Sequence, residues 1–331
     1  MASESLDVVG IGNAIVDVIA RADEAFLARQ GLAKGSMRLI DAAEAEALYD
    51  AMGPGIEVSG GSAANTIAGI ASLGGGGAYI GKRSDDTLGE VFAHDIRSIG
   101  VRFATAPLRQ GAPTARCLIL VTSDAQRTMA TFLGASAQLG PEDVAPDLVR
   151  AAHVTYLEGY LFDPPPAKAA FRKAAELAHD AGRKVSLTLS DPFCVERHRA
   201  DFRTLVEGHV DILFANEAEI CALYETKDFD AAARAVRGHC DIAALTRSEK
   251  GSVVVTAKGA TAVAAEKVAR LVDTTGAGDL YAAGFLYGLT HGRDITGCAR
   301  LGSLCAAEII SHFGARPETS LKTLAEEAGL V

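Results

Sequence analysis

The sequence of 331 residues lacks the cysteine and histidine patterns that bind metals or cross-link small folds. Its six cysteines are scattered, without a C-x-x-C pair and without a histidine cluster nearby. This absence argues against a zinc site and against a disulfide scaffold. We therefore expect reduced thiols, most of which serve as small buried hydrophobic side chains.

A basic surface and a long apolar run are also missing. The formal net charge is −10, which disfavours nucleic acid or an anionic membrane as the main partner, because both attract basic surfaces. Residues 1–7 lack the basic start and the apolar core of a signal peptide, and no apolar segment approaches membrane-spanning length. The sequence therefore predicts a cytoplasmic protein.

The sequence does have a regular alternation of strand-like and helix-like segments. Hydrophobic residues make up 49% of the chain, enough to bury a large core. Beyond Pro141, predicted strands at 154–157, 185–189 and 211–214 alternate with helices such as 167–181. This alternation is typical of an α/β fold with a mostly parallel central sheet covered by helices on both faces.

A glycine-rich turn near the C-terminus opens an apolar helix. It reads Asp273-Thr274-Thr275-Gly276-Ala277-Gly278-Asp279 and continues into the apolar residues 280–289. The glycines let backbone N–H groups converge on an anion, and the positive end of the helix dipole points the same way. Asp279 is suited to act as a general base that takes a proton from a hydroxyl as it attacks phosphorus. Helix capping by Asp279 is the alternative.

A second glycine turn, Gly60-Gly61-Ser62-Ala63-Ala64-Asn65, enters another predicted helix. Together the two turns resemble the signatures of the ribokinase-like carbohydrate kinases, the PfkB family, and the resemblance extends from Val9 to about Pro317. Three stretches are most similar to the adenosine kinase branch of that family, and these are residues 12–17, 186–193 and 210–219.

The resemblance implies one ribokinase-like kinase domain over residues 1–331, with a discontinuous β lid from about 13–40 and 105–135. Two stretches that interrupt the α/β alternation agree with such a lid. Residues 114–133 predict a hairpin around a turn at 123–126, and residues 20–38 form another insertion. The small β-sheet lid would project over the strand ends where α/β proteins bind ligands.

The activity implied by the resemblance is transfer of the γ-phosphoryl group of ATP to the primary hydroxyl of a ribose-containing substrate, with adenosine as the expected acceptor. ATP, Mg²⁺ and K⁺ are the implied cofactors, and a monomer or homodimer is expected. A sugar kinase of the ribokinase or fructokinase type is one alternative. A non-catalytic nucleoside or sugar sensor on the same fold is another, although the carboxylate at Asp279 argues against it.

The resemblance also assigns residues to the acceptor. Asp17 would accept hydrogen bonds from two sugar hydroxyls, and Phe193 would hold a base through its ring. The alternatives are that Asp17 ends an edge strand, that Asn65 is a helix-start residue and that Phe193 is core. The full acceptor set is Asn13, Asp17, Gly60, Gly61, Asn65 and Phe193.

On the nucleotide side, Gly276, Ala277 and Gly278 would stabilise the charge of the phosphoryl group. Glu219 would organise Mg²⁺ through its waters, with helix capping together with Asn216 as the alternative. The implied ATP contacts are Asn216, Thr246, Gly251, Thr275 and Gly278.

Two further assignments concern charge. Asp273 and Thr275, with carbonyl groups near residues 311–314, resemble an alkali-cation site that would bind K⁺. Arg127 matches a basic residue that reaches the transferred phosphate when the lid closes. Simple exposure on the hairpin is the alternative for Arg127.

Overall fold

The described residues form a nine-stranded sheet and a separate five-stranded sheet. The structure is a computed structural model that describes residues 6–124, 126–162 and 164–331. The predicted start at residues 1–5 and Ala125 of the predicted hairpin turn lie outside the described residues. No helix in the described ranges is long and apolar enough to cross a membrane.

The large sheet is mostly parallel. Numbered along the chain, its strands are β1 (Leu6–Ile11), β5 (Gly77–Ile80), β6 (Arg102–Phe103), β9 (Ala152–Glu158), β10 (Lys184–Thr188), β11 (Ile212–Asn216), β12 (Ile242–Thr246), β13 (Ser252–Thr256) and β14 (Gly259–Val263). They lie in the order β14-β13-β12-β11-β10-β9-β1-β5-β6. In this spatial order, the seven neighbouring strands β6, β5, β1, β9, β10, β11 and β12 are parallel. Strands β13 and β14 are antiparallel to their neighbours.

The helices of the described chain complete the architecture. They are α1 (Glu24–Arg29), α2 (Ala42–Ala51), α3 (Ser62–Ser72), α4 (Thr87–Ser98), α5 (Pro146–Ala151), α6 (Pro165–Asp180), α7 (Pro192–Gly208), α8 (Glu217–Leu223), α9 (Phe229–Val236), α10 (Ala277–Thr290), α11 (Ile295–Ile309) and α12 (Leu321–Glu327).

The helices cover both faces of the large sheet, and those on each face pack around their own apolar core. Helices α3, α4 and α10 to α12 share one core with Val8, whereas α5 to α9 share the other with Val9. Successive residues of β1 thus point into opposite cores, which explains why this strand is apolar on both faces. The predicted parallel sheet with helices on both faces is confirmed.

The small sheet is built mainly from the segments predicted for the lid. Its strands are β2 (Ile15–Arg21), β3 (Met37–Leu39), β4 (Gly55–Ser59), β7 (Ala115–Val121) and β8 (Arg127–Phe132), in the order β3-β8-β7-β2-β4. Four of them fall in the two predicted segments. Strand β4 lies outside those segments and joins the sheet by antiparallel pairing with β2.

Side chains alternate between the two faces of the small sheet. On the outer face, Val18, Leu118 and Leu120 pack in a cluster with residues of α1 and α2. On the inner face, Ile15 and Ile119 belong to a smaller apolar cluster that contains no helical residue. The inner face is therefore left free to cover a ligand.

Several parallel strands of the large sheet end at one edge. There the chain leaves β1 towards Asn13, and β9, β11 and β12 end at Glu158, Asn216 and Thr246. The carboxyl edge of a parallel sheet is where α/β proteins bind ligands. The fold thus brings residues that are far apart in the sequence to one place.

Candidate active site

A cavity of about 390 Å³ lies between this edge and the inner face of the small sheet, a volume typical of small-molecule sites. The inner face contributes Ile15, Ile119 and Met129 to its lining. Most of the predicted site residues line the cavity, and these are Asn13, Asp17, Gly61, Asn65, Asn216, Glu219, Thr246, Thr275, Gly276, Ala277, Gly278 and Asp279.

The turn before α10 borders the cavity with backbone rather than side chains. Gly276, at the N-cap, has a φ of +79° in the left-handed region, and no side chain caps the helix. A Cβ atom added to Gly278 would meet nothing within 4 Å, so open space adjoins its backbone. Uncapped N–H groups at the positive end of a helix dipole are suited to hold an anion here.

Asp279 lies in the first turn of α10 and is held by the first turn of α3. Ser62 Oγ donates to Asp279 Oδ1 at 2.6 Å, and Asn65 Nδ2 donates to Oδ2 at 3.0 Å. Each carboxylate oxygen keeps a further lone pair for a substrate. Burial raises the pKa of Asp279, while these two hydrogen bonds and the charge of Arg316 oppose that rise. The result is an oriented carboxylate that can accept a proton.

Asn13 and Glu158 form a buried pair beneath the cavity. Asn13 Nδ2 donates to Glu158 Oε1 at 2.6 Å, and the N–H of Ala63 donates to Oε2 at 2.8 Å. Burial raises the pKa of Glu158 to about 7, although the hydrogen bonds from Ala63 and Asn13 act in the opposite direction. A Cβ atom at Gly12 would lie 2.3 Å from Glu158 Oε2, so only glycine leaves room for this carboxyl group.

Asp17 projects from β2 on the inner face of the small sheet. A Cβ atom at Gly60 would lie 2.4 Å from its carboxylate, so Gly60 allows the carboxylate to lie against the backbone. Burial raises the pKa of Asp17 to about 7, and the charges of Arg127 and Arg316 work against this rise. None of the hydrogen bonds found among the described residues goes to this carboxylate. It can therefore accept hydrogen bonds from a ligand.

Asn216 and Glu219 form a reciprocal cap at the start of α8. Asn216 Oδ1 accepts from the N–H of Glu219 at 2.9 Å, and Asn216 Nδ2 donates to Glu219 Oε1 at 2.6 Å. Both residues also line the cavity. Burial raises the pKa of Glu219 to about 7. The predicted capping role and a role at the ligand are thus compatible in these two residues.

Arg127, at the start of β8, contacts the glycine turn before α10. Its guanidinium donates to the carboxylate of Asp273 and to the hydroxyl of Thr275. Asp273 also accepts from the N–H groups of Thr275 and Gly314, each at 3.0 Å. The phosphate contact of Arg127 and the K⁺ site at Asp273 and Thr275 stay predictions, and Arg127 would have to release Asp273 to reach a phosphate.

Five predicted residues do not line the cavity, and these are Gly60, Arg127, Phe193, Gly251 and Asp273. The side chain of Phe193 is 66% exposed, because Asp191 caps α7 and directs Cys194, rather than Phe193, into the core. The prediction that Phe193 holds a base therefore needs correction, and the apolar surface comes from the small sheet instead. Gly251 also does not border the cavity; it has a φ of +83° and shapes the turn between β12 and β13.

Besides Ile119 and Met129 of the inner face, Ser62, Glu158 and Arg316 were missed in the sequence. Ser62 stands inside the second glycine turn, three residues before Asn65, and this spacing could have placed both on one helix face. Glu158 directly follows a predicted buried strand, which is an unusual position for a carboxyl group. Arg316 has no local signal, because its partners Ser59 and Ala64 are more than 250 residues away.

The chain is similar to several known proteins. A family profile described as pfkB family carbohydrate kinase matches residues 51–322. The structure of adenosine kinase from Sinorhizobium meliloti is 55% identical, has a TM-score of 0.94, and covers 98% of this chain and 100% of that one. A probable sugar kinase protein from Rhizobium etli CFN 42 is 51% identical, with a TM-score of 0.95 and 99% coverage of both chains.

A more distant relative has a similar length. Adenosine kinase of Saccharomyces cerevisiae is 28% identical over 328 residues, which span 92% of this chain and 95% of the yeast protein. A probable fructokinase-3 of Arabidopsis thaliana is also 28% identical, over 79% of this chain and 80% of the plant protein. Nucleoside and sugar kinases both occur among the relatives.

The buried Glu158 generates a prediction about pH. Its pKa rises from an ordinary 4.5 to about 7 in the folded protein, so its contribution to stability is complete below pH 4.5 and is lost as the pH rises through 7. The amide of the Glu158→Gln variant has no proton to lose. Between about pH 5 and 8, the free energy of unfolding of this variant should therefore fall by about 1–3 kcal/mol less than that of the wild type.

Urea denaturation of the ligand-free protein across this pH range measures the difference. Gln can replace Glu at this position because Asn13 Oδ1 is buried without a hydrogen-bond partner and would accept from the new amide after the Asn13 side chain turns over. Glu176→Gln on the surface of α6 is the matched control. Stability curves of Glu158→Gln and the wild type that run parallel would contradict the assignment.

Proposed function

This chain belongs to the pfkB family of carbohydrate kinases and is a phosphotransferase with an alcohol group as acceptor, and we propose that it transfers the γ-phosphoryl group of ATP to the 5′-hydroxyl of adenosine. The observation that carries the proposal is the position of Asp279. Its carboxylate lines a cavity between an uncapped helix N-terminus and an apolar inner face. A base, an anion site and a surface for a flat ring thus meet in one cavity.

The chemistry follows from the residues around Asp279. The 5′-hydroxyl would donate its proton to Asp279 as its oxygen attacks the γ-phosphorus of ATP and the bond to the β-phosphate oxygen breaks. Ser62 and Asn65 hold the carboxylate in place during this transfer. The N–H groups of Gly276 to Gly278 would take the negative charge on the phosphoryl oxygens, so catalysis rests on positioning and electrostatics.

Asp17 is proposed to hold the ribose. Its carboxylate has two oxygens, and a pair of neighbouring hydroxyls on a ring can donate to both of them. Binding would favour the ionised form of Asp17, because hydrogen bonds to the charged form lower the pKa of a carboxyl group. Asn13, Gly61 and Asn65 lie nearby in the lining and limit how the ring can enter.

Cations complete the proposal. Mg²⁺ would supply charge neutralisation for the phosphates, and Glu219 would hold the ion through bound waters, since Mg²⁺ usually takes few direct protein ligands. The lining supports this role, because Glu219 is only 6% exposed yet borders the cavity. Asp273 and Thr275 are the residues proposed for K⁺.

The choice of adenosine over a free sugar depends on the inner face of the small sheet. Ile15, Ile119 and Met129 present apolar surface to the same cavity into which Asp17 projects. A free sugar needs polar groups around it, whereas a nucleoside adds a flat ring that is stabilised by apolar contact. The identity of 55% with adenosine kinase from Sinorhizobium meliloti also supports this acceptor.

We expect Asp279→Asn to lower kcat by about two to four orders of magnitude, because the amide cannot take the hydroxyl proton. Nucleotide affinity should change little. Steady-state kinetics and ADP titration measure the two quantities. Asp230→Asn is the matched control, since Asp230 is also a first-turn carboxylate of a helix but is exposed. Near-normal kcat in Asp279→Asn would show that Asp279 is not the general base.

We expect Met129→Ala to raise the KM for adenosine by about five- to ten-fold, because the base loses apolar contact in the cavity. Turnover of ribose should not change by more than about two-fold. Coupled ATP-consumption assays with adenosine, other nucleosides, ribose and fructose provide the comparison. Phe193→Ala, outside the cavity, is the control and should behave like the wild type. Efficient turnover of ribose or fructose with none of any nucleoside would favour a sugar kinase.

A further inference from the structure

The segment from Gly314 to Arg316, which follows α11, contacts both halves of the site. The N–H of Gly314 donates to the carboxylate of Asp273, and Ala315 lies 3.1 Å from where a Cβ atom of Gly276 would be. The next residue, Arg316, turns to the acceptor side. Three consecutive residues thus connect the anion-binding turn with the second glycine turn.

The side chain of Arg316 donates hydrogen bonds to backbone carbonyl groups at the second glycine turn. Its Nε donates to the carbonyl oxygen of Ser59 at 3.1 Å, and its Nη1 donates to the carbonyl oxygen of Ala64 at 3.2 Å. Ser59 lies three residues before Ser62, and Ala64 directly precedes Asn65, so Arg316 holds the backbone beside the two residues that donate to Asp279. The third nitrogen, Nη2, is buried and has no hydrogen-bond partner among the described residues.

The guanidinium of Arg316 is surrounded by acidic side chains. Asp17, Asp95 and Asp279 all act on its guanidinium, as does the hydroxyl of Tyr79. Asp17 lies against Gly60, and Asp95 accepts a hydrogen bond from Ser59 Oγ at 2.7 Å. Because a guanidinium cannot lose its proton in proteins, this buried charge stays positive throughout the pH range of catalysis.

We propose that Arg316 is a positioning residue of the phosphoryl transfer, whose fixed positive charge keeps Asp279 ionised while its hydrogen bonds to Ser59 and Ala64 hold the turn that orients Asp279. The proposal rests on Asp279 as the general base. Arg316 touches neither substrate nor phosphate in this account. It acts through Asp279 and through the backbone of residues 59–64.

The ionised form of Asp279 depends on the groups around it, and Arg316 is one of these groups. Burial disfavours a negative charge at this position. The hydrogen bonds from Ser62 and Asn65 and the charge of Arg316 favour it. The groups whose titration is coupled to Asp279 are Asp17 on β2, Glu158 on β9, Glu219 on α8, and the hydroxyls of Tyr156 and Tyr160. Arg316 is thus the positive charge that opposes the effect of burial on Asp279.

Removal of this charge should raise the pKa of Asp279, so that the base stays protonated to a higher pH. In Arg316→Gln, the acid limb of the kcat/KM profile for adenosine should therefore move up by about one pH unit. In Arg316→Lys, which keeps the charge without the forked geometry, kcat should fall but the acid limb should stay within about 0.3 units of the wild type.

A purely structural role would lower kcat in both variants without moving the acid limb, and that result would overturn the proposal. Circular dichroism and thermal melts in the presence of ADP check folding, and Arg316→Met replaces the Gln variant if that one is unfolded. If the neutral variants fail to fold while Lys folds, or if all three fail to fold, Arg316 serves folding and the proposal is wrong.

Asp279→Asn separates this proposal from the proposed function. If Asp279→Asn keeps near-normal kcat, the base assignment fails and this proposal fails with it. If Asp279→Asn is inactive but Arg316→Gln keeps the wild-type acid limb, the kinase assignment stands and only the role of Arg316 is overturned.

Discussion

The contact between the first turns of α3 and α10 is the constraint on which the site depends. Ser62 and Asn65 from α3 donate to the carboxylate of Asp279 on α10, and the two helices can approach closely because a Cβ atom at Gly69 would lie only 2.6 Å from Ala283. The positive ends of two helix dipoles therefore meet beside one carboxylate. This arrangement stabilises the negative charge of a base next to a site for phosphate.

Buried carboxyl groups dominate the electrostatics around this contact. Asp17, Glu158 and Glu219 each have a pKa raised to about 7 by burial. Isolated buried charges are costly, and the protein offsets this cost with backbone N–H groups, amide side chains and the guanidinium of Arg316. Ligands that bring hydroxyl donors and cations would favour the ionised forms. The acidic cavity is thus suited to a substrate that arrives with its own donors and metal.

Local signals explain which parts of the site could be predicted from sequence. Both glycine turns are continuous segments whose backbone needs are visible in the residues, and the residues predicted there, such as Gly61 and Gly276, line the cavity. Phe193 was misplaced because the cap at Asp191 sets the direction of its side chain, which a strand pattern cannot show. Arg316 and the pairing of β4 with β2 depend on contacts between distant segments, for which a single sequence carries no pattern.

The most direct test of the account identifies the phosphorylated atom. Purified protein is incubated with ATP, Mg²⁺ and adenosine, and the product is assigned by ³¹P nuclear magnetic resonance. The matched acceptor is 5′-deoxyadenosine, which lacks the hydroxyl proposed to face Asp279. We expect AMP phosphorylated at the 5′ position from adenosine, and no transfer to 5′-deoxyadenosine. Phosphorylation of 5′-deoxyadenosine at a ring hydroxyl, or no transfer to adenosine while a free sugar is phosphorylated, would contradict it.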